Sequence, residues 1–316
     1  MSTATESRRR ARIGRVPSGP QRLRPGEWLS VLKRTGSQFL KDDCMGLSQQ
    51  VAYSSLLAFF PAVAFIIGLF SIFHLYDEVE RLLATVAPHG VIRFIDSLRR
   101  DSKGSGTKTT ALVIGFFGAV WAASGAMGSV IKAVNRAYDR IETRPFWKTR
   151  ATAVVLVMLS GVTTAGVFLL IVVGGRLGEA IARRSAGLGG GFNMVWDALR
   201  WPMAFAAVLL FFAFVYYLAP NRDERNWKWV TPGSVIGSIL WLALSGLFAL
   251  YVTYAGHYTK TYGTLATGVI LLLWLNYSAF ALLFGAELNA ELDQQADINA
   301  AGGTQAGLVK PARRTR

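Results

Sequence analysis

The side chains best placed for chemistry fall into two groups that only the fold can bring together. In LLFGAELNAEL, Glu287 and Glu291 stand one helical turn apart with Asn289 between them, directly after 22 residues without a charge. In NRAYDRIETRPFW, Asn135, Arg136, Tyr138 and Arg144 follow another apolar run. A carboxylate at the edge of a hydrocarbon layer is partly desolvated, and an unpaired charge there is unfavourable. Arginine is the natural partner, because its planar fork holds a carboxylate through two parallel hydrogen bonds. The pattern therefore predicts ion pairing of Arg136 or Arg144 with Glu287, either as a structural clasp or as a gate that opens when two helices part.

Catalytic patterns are scarce. There is no P-loop, no HExxH and no GxSxG. His74, His89 and His257 are scattered without metal-ligand spacing, and the single cysteine, Cys44, excludes an intramolecular disulfide. No catalytic residue, no metal and no cofactor are expected, and an enzyme is not. The apolar runs contain no Asp, Glu, Lys or Arg, which offers no proton relay and counts against a proton-coupled carrier, although unwound backbone can also bind ions.

The elements that must position these groups follow from composition. Of 316 residues 52% are hydrophobic and 17% charged, a balance that points to a membrane protein rather than a soluble domain. Charge-free apolar runs lie near 50–74, 110–131, 151–175, 201–219, 233–255 and 265–286, each close to the roughly 20 residues that cross a bilayer. The predicted fold is all-α: a polytopic membrane bundle of about six helices over 44–298, between a basic, flexible tail at 1–43 and a second tail at 299–316. The N-terminus leads into no short apolar core with a cleavage site and does not read as a signal peptide.

Lys plus Arg number 23 in the alternate connections that include both termini and 11 on the other side, so both ends are assigned to the cytoplasm. The tail supplies most of the excess; without it the count is 13 against 11. The net charge of +15 has a plain explanation in insertion direction and contact with anionic lipid headgroups. Membrane lipids are thus the expected partners, with no specific nucleic acid, while substrate and oligomeric state are not specified. Of the external connections, 75–109 has the spacing of two short amphipathic helices broken at Pro88-His89-Gly90, and 176–200 is Gly-rich and reads as flexible.

A second set of polar and aromatic side chains lies at membrane depth. Tyr53, Ser54, Trp121, Ser124, Asn276 and Tyr277 are costly facing lipid and are predicted to converge on a cavity inside the bundle. Pro61 removes a backbone donor mid-span, which makes it either a hinge beside that cavity or a static bend. Asn276 is either a hydrogen bond between helices or a substrate contact. Small residues recur at Ala122, Gly125, Ala126, Gly128 and Ser129 and at Gly233 and Gly237, the pattern of close helix packing.

AYSSLLAFFP, NRAYDRIETRPFW, YYLAP and TYGTLATGVILLLWLNYSAFALLFGAELNAEL, spread over about residues 45 to 292, together resemble the YihY/BrkB family of bacterial inner-membrane proteins, once labelled ribonuclease BN. The resemblance implies a six-helix inner-membrane domain of poorly defined activity, with members linked to serum resistance and proposed to move lipids or other amphiphiles. Two functions are then in contention: a transporter or flippase of lipid-like or small amphiphilic substrates, and a non-catalytic scaffold in envelope assembly or resistance. A ribonuclease is the least favoured, since a zinc-dependent one needs a His and Asp cluster that three isolated histidines cannot supply.

Overall fold

The computed structural model describes residues 25–72, 108–170, 189–222, 230–254 and 264–300. Among them the regular structure is helical: α1 Pro25–Lys41, α2 Cys44–Ile72, α3 Lys108–Ala137, α4 Phe146–Phe168, α5 Gly189–Leu218, α6 Pro232–Tyr254 and α7 Thr264–Ala300. From α2 to α7 each helix packs on the next in sequence, α7 also lies against α2 and α3, and α1 rides on α7.

Among the described residues five stretches are long and apolar enough to cross a membrane: Gly115–Ala137, Phe146–Phe168, Ala198–Leu218, Pro232–Tyr254 and Gly268–Ala296. The remaining predicted run, 50–74, falls on α2, which continues through Pro61 to Ile72. About six membrane helices is consistent with this count. The outward faces carry exposed Val155, Met158 and Val162 on α4 and Leu247 and Leu250 on α6. Such side chains are at home against lipid tails, so the helices are held by close packing and polar contacts rather than by hydrophobic burial.

Three elements differ from the sequence expectation. Residues 25–41, placed in the flexible tail, form α1, which starts at Pro25, where a missing N–H costs nothing. Val31, Thr35 and Phe39 recur at helical spacing and are buried; Val31 meets Leu288 and Leu292 of α7, and Phe39 meets Phe280 edge-on. The stripe is amphipathic but low in overall hydropathy, so it does not stand out as an apolar run. Residues 189–200, expected to be flexible, are the first turns of α5. Glycines are tolerated in a first turn, where few internal hydrogen bonds depend on them, and Met194 to Arg200 are mostly good helix formers. The third is α7, whose 37 residues extend well past the apolar run. The predicted external helices at 75–107 lie outside the described residues.

Two helix ends position the polar groups. α3 stops in a reverse turn in which Arg140 N–H reaches Asn135 O at 2.8 Å and Asp139 N–H reaches Arg136 O at 3.0 Å. Asp139 takes the left-handed conformation, φ 51°, at the position where such ends usually carry glycine. α6 starts with a reciprocal cap, Thr231 N–H to Ser234 Oγ at 3.0 Å and Ser234 N–H to Thr231 Oγ1 at 3.1 Å.

Gly233 and Gly237 of α6 face α7 as the small-residue pattern predicts. A Cβ on Gly233 would overlap the Gly285 carbonyl and Asn289, and one on Gly285 would overlap the Tyr216 hydroxyl of α5 and the Gly233 carbonyl. Tyr216 donates its hydroxyl to Leu282 O at 2.7 Å, so three helices are keyed together where backbones approach.

Candidate functional site

The end of the bundle that gathers α1, the α3–α4 connection, the end of α5 and the far part of α7 is rich in basic residues and holds most of the polar contacts. Arg144 is the hub of the first group. Its Nε donates to Glu142 Oε1 at 2.8 Å, and its Nη2 donates to Glu142 Oε2 at 2.6 Å and to Ala219 O at 2.8 Å. It thereby joins the α3–α4 connection to the free carbonyls ending α5. The Arg144 guanidinium holds the Glu142 carboxyl below the usual carboxylate range. Asn135 Nδ2 adds a bond to Glu142 Oε2 at 2.8 Å, while its Oδ1 accepts from Asn221 N–H at 2.7 Å. Asn221 returns through its own amide to Ile141 O and Thr143 Oγ1, both at 2.8 Å.

Glu287 is elsewhere engaged. It is 2% exposed, and Cys44 directs its thiol at Glu287 Oε1 over 3.4 Å. Burial, with the nearby carboxylates of Glu287 and Asp42, pushes the Cys44 thiol up. Arg136 lies 3.5 Å from Asp42 in the turn between α1 and α2. Thus the two arginines expected to pair with Glu287 have Glu142 and Asp42 as partners. The cause is local: the ETR turn puts Glu142 two residues from Arg144, and the α1–α2 turn puts Asp42 within reach of Arg136.

The other expected members also find separate partners. Asn289 caps α6, accepting from Gly233 N–H at 2.9 Å and donating to Thr231 Oγ1 at 2.9 Å. Glu291 faces Arg34 of α1 at 3.2 Å. Tyr138 lies under the Arg222 guanidinium, 4.2 Å from ring centre, and Arg222 also donates to Asp293 at 3.1 Å. Burial pushes the Tyr138 phenol up, and Arg222 partly offsets it. Tyr138 also meets the Asn289 side chain of α7, so the predicted cluster is joined at that contact while its arginines pair elsewhere.

At this end opens a cleft of about 590 Å³ between the α1–α2 turn, α2, α3 and the start of α4. Gly128, Ile131, Lys132, Asn135 and Arg136 line it from α3, at spacings that place them on one face. Leu47, Asp42, Asp43, Arg140, Glu142 and Thr149 complete the walls.

The membrane-depth set does not form one lining. Ser54 and Ser129 share a hydrogen bond at 3.0 Å between α2 and α3, and buried Ser124 bonds back to Trp121 O at 2.9 Å. Tyr53 is 59% exposed, and Trp121 is 66% exposed with Arg150 4.1 Å above its ring. Tyr277 is exposed and packs on Phe248, and Asn276 is half-buried on α7. Their ring edges and polar tips reach the outside of the bundle, where aromatic residues tolerate a mixed environment. Pro61 is half-buried on α2.

Asp42, Cys44, Glu142, Asn221 and Arg222 belong to the site but are not among the residues that the sequence pattern picks out. For Glu142 a signal is present, a carboxylate two residues from Arg144 in a short connection; for Arg34 it requires α1 to be recognised as a helix. Among the described residues no three His, Cys, Asp or Glu side chains gather as a metal site. The three histidines lie outside the described residues.

A family model described as virulence factor BrkB matches residues 35–307. A ribonuclease-like protein of Bacillus subtilis, YfkH, is 30% identical over 268 residues, covering 84% of this chain and 96% of its own. A UPF0761 membrane protein of Idiomarina loihiensis is 26% identical, covering 84% and 92% of the two chains, and one of Pseudoalteromonas translucida is 25% identical, covering 85% and 86%. No solved structure matches the chain.

Proposed function

The chain belongs to the BrkB virulence factor family of membrane proteins, and from that premise we propose that it moves lipid-like or small amphiphilic molecules across the bacterial inner membrane, with both termini in the cytoplasm. The observation that carries this reading is the cleft of about 590 Å³ at the basic end. Its α3 wall runs from Gly128 and Ile131, which carry no polar side chain, to Lys132, Asn135 and Arg136 toward the end of α3. An amphiphile has the same gradient, and a cleft with that gradient suits its entry. The basic excess on this end supports its assignment to the cytoplasm.

The scattered placement of Tyr53, Trp121 and Tyr277 favours a second reading, a scaffold that binds other membrane components without moving them. Exposed aromatics on the bundle's flank suit contact with a neighbouring helix as well as with lipid. A ribonuclease activity, suggested by the name of one relative, finds no support in the basic end, where Asp42 and Glu142 are bound by arginines and Glu287 by a thiol rather than grouped for metal or proton transfer. Purified protein in liposomes carrying a fluorescent phospholipid tests the choice. Transport predicts that lipid in the inner leaflet becomes accessible to a membrane-impermeant quencher faster than in protein-free vesicles; an unchanged rate with several amphiphile classes favours the scaffold.

A further inference from the structure

Half of the six charged side chains lining the cleft are already engaged. Asp42 faces Arg136, and Glu142 is held by Arg144 and Asn135. Among the described residues, the side chains of Lys132 and Arg140 make no hydrogen bond or ion pair, yet both are exposed on its wall. Against them stands one carboxylate without a hydrogen-bond partner in that set, Asp43, folded over Gly46 at the start of α2. The uncommitted charge is thus two cations against one anion. Beside them, Thr149 Oγ1 is shielded from solvent and has no hydrogen-bond partner among the described residues, an expensive state for a hydroxyl unless something else supplies one.

Deeper in, the lining changes character. Gly128, Ile131 and Leu47 carry no charge, and Gly128 lies two helical turns, or roughly 12 Å, inside Arg136. A free inorganic anion would use the rim and leave that floor without a role. A molecule with a phosphate at one end and hydrocarbon at the other uses both.

We propose that this cleft binds the phosphate headgroup of a membrane phospholipid, with Lys132 and Arg140 on the phosphate oxygens, Thr149 donating its hydroxyl, and the glycerol and first acyl carbons against Ile131 and Leu47. Two cations and a hydroxyl donor make charge-assisted hydrogen bonds to phosphate, and the adjacent leaflet supplies the ligand at high local concentration. The assignment names a substrate class for the transport reading and rests on that reading only for the steps after binding.

The test is equilibrium binding to the purified full-length protein, measured by native mass spectrometry from detergent, with phosphatidylglycerol, diacylglycerol of the same chains, and inorganic phosphate as separate probes. Phosphatidylglycerol should be retained at least about tenfold better than diacylglycerol, and the Lys132→Ala/Arg140→Ala variant should lose about tenfold of that affinity. A charge-matched control, Lys33→Ala/Lys148→Ala, alters exposed lysines outside the cleft and should leave binding unchanged. Equal loss in the control, or diacylglycerol retained as well as phosphatidylglycerol, overturns the site. Inorganic phosphate bound while phosphatidylglycerol is not overturns the lipid assignment. Should the alanine pair lower the melting temperature, Lys132→Gln/Arg140→Gln keeps the stems and is read against the same control. Lipid flux in vesicles separates the two claims: pair-dependent binding with flux that ignores the pair leaves both standing but takes the site off the transport route, whereas pair-dependent binding without flux removes transport and leaves the site.

Discussion

At the basic end, Asn135, Arg144 and Asn221 stitch the α3–α4 connection to the end of α5 through side-chain hydrogen bonds, and Asn289 ties α6 to α7. Further along the same helices, polar contacts thin to single pairs such as Ser54 with Ser129, Trp241 with Ser278 and Trp274 with Ser245. The difference follows from the solvent on each side. In hydrocarbon every helix already satisfies its own backbone, so little beyond close packing is needed between helices. Where helices end, free carbonyls and N–H groups need partners, and side chains from neighbouring segments provide them. The clearest packing device and the densest polar network therefore lie side by side, around Gly285 and Arg144.

Breaking the packing should have the larger effect. Gly285→Val places a branched side chain where even a single Cβ would overlap the Tyr216 hydroxyl and the Gly233 carbonyl. Because both obstacles sit on buried helix contacts, relief requires α6 or α5 to move. The expected cost exceeds the roughly 1–3 kcal/mol typical of overpacking, and the variant should fail to give monodisperse protein in mild detergent. A variant that purifies and melts like the parent would show that the α5–α6–α7 contact is looser than these overlaps require.

Breaking the polar network should cost less. Arg144→Ala leaves the Glu142 carboxylate with Asn135 and the backbone N–H of residue 144, and exposes the Leu218 and Ala219 carbonyls to whatever water can reach them. Since the Arg144 side chain is 11% exposed, the expected loss is about 2–3 kcal/mol, read as a lower melting temperature in detergent. Arg144→Lys keeps the charge but not the fork and should recover less than half of the loss. Arg144 lowers the Glu142 pKa, so this contribution is complete above the ordinary carboxylate value of 4.5 and disappears as pH falls through the lowered one. The parent should lose more stability on acidification than Arg144→Ala, which keeps only the Asn135 and backbone bonds to Glu142.

Much of the packing was legible in the sequence, and much of the polar network was not. Gly233 and Gly237 announce a close helix contact by type and spacing alone, because only small residues permit it. The six apolar runs are equally direct, since membrane crossing sets their length. α1 escaped because its low overall hydropathy and basic neighbours grouped it with the tail, although Val31, Thr35 and Phe39 recur at helical spacing. Asp139 ends α3 in a conformation that glycine would have advertised. The pairing of Arg144 escaped for a different reason: charge and topology bring Glu142, Glu287 and Asp42 to the same end, but which carboxylate an arginine meets depends on how α3 terminates. Likewise, the exposure of Tyr53 and Trp121 depends on helix rotation, which the presence of a polar tip at membrane depth does not determine.

The smallest expected effect concerns the pairing between Glu287 and the arginines. Glu287→Gln keeps an oxygen acceptor in the place where Oε1 meets the Cys44 thiol, and it removes an ionisable group from a residue that is 2% exposed. The contact is to a weak donor, so little attraction is lost, while relief from the nearby carboxylates works in the opposite direction. The single variant should therefore shift stability by less than about 1 kcal/mol. Combined with Arg144→Ala it should be additive within about 0.5 kcal/mol, because Arg144 is committed to Glu142 and to the end of α5. The same variant combined with Arg136→Ala reports a different geometry. Arg136 lies beside Asp42, and Asp42 and Cys44 both stand next to Glu287, so a measurable coupling through that chain is expected even without direct contact. Coupling with Arg144 larger than with Arg136 would reverse the assignment and bring back a direct clasp between the α3–α4 connection and α7.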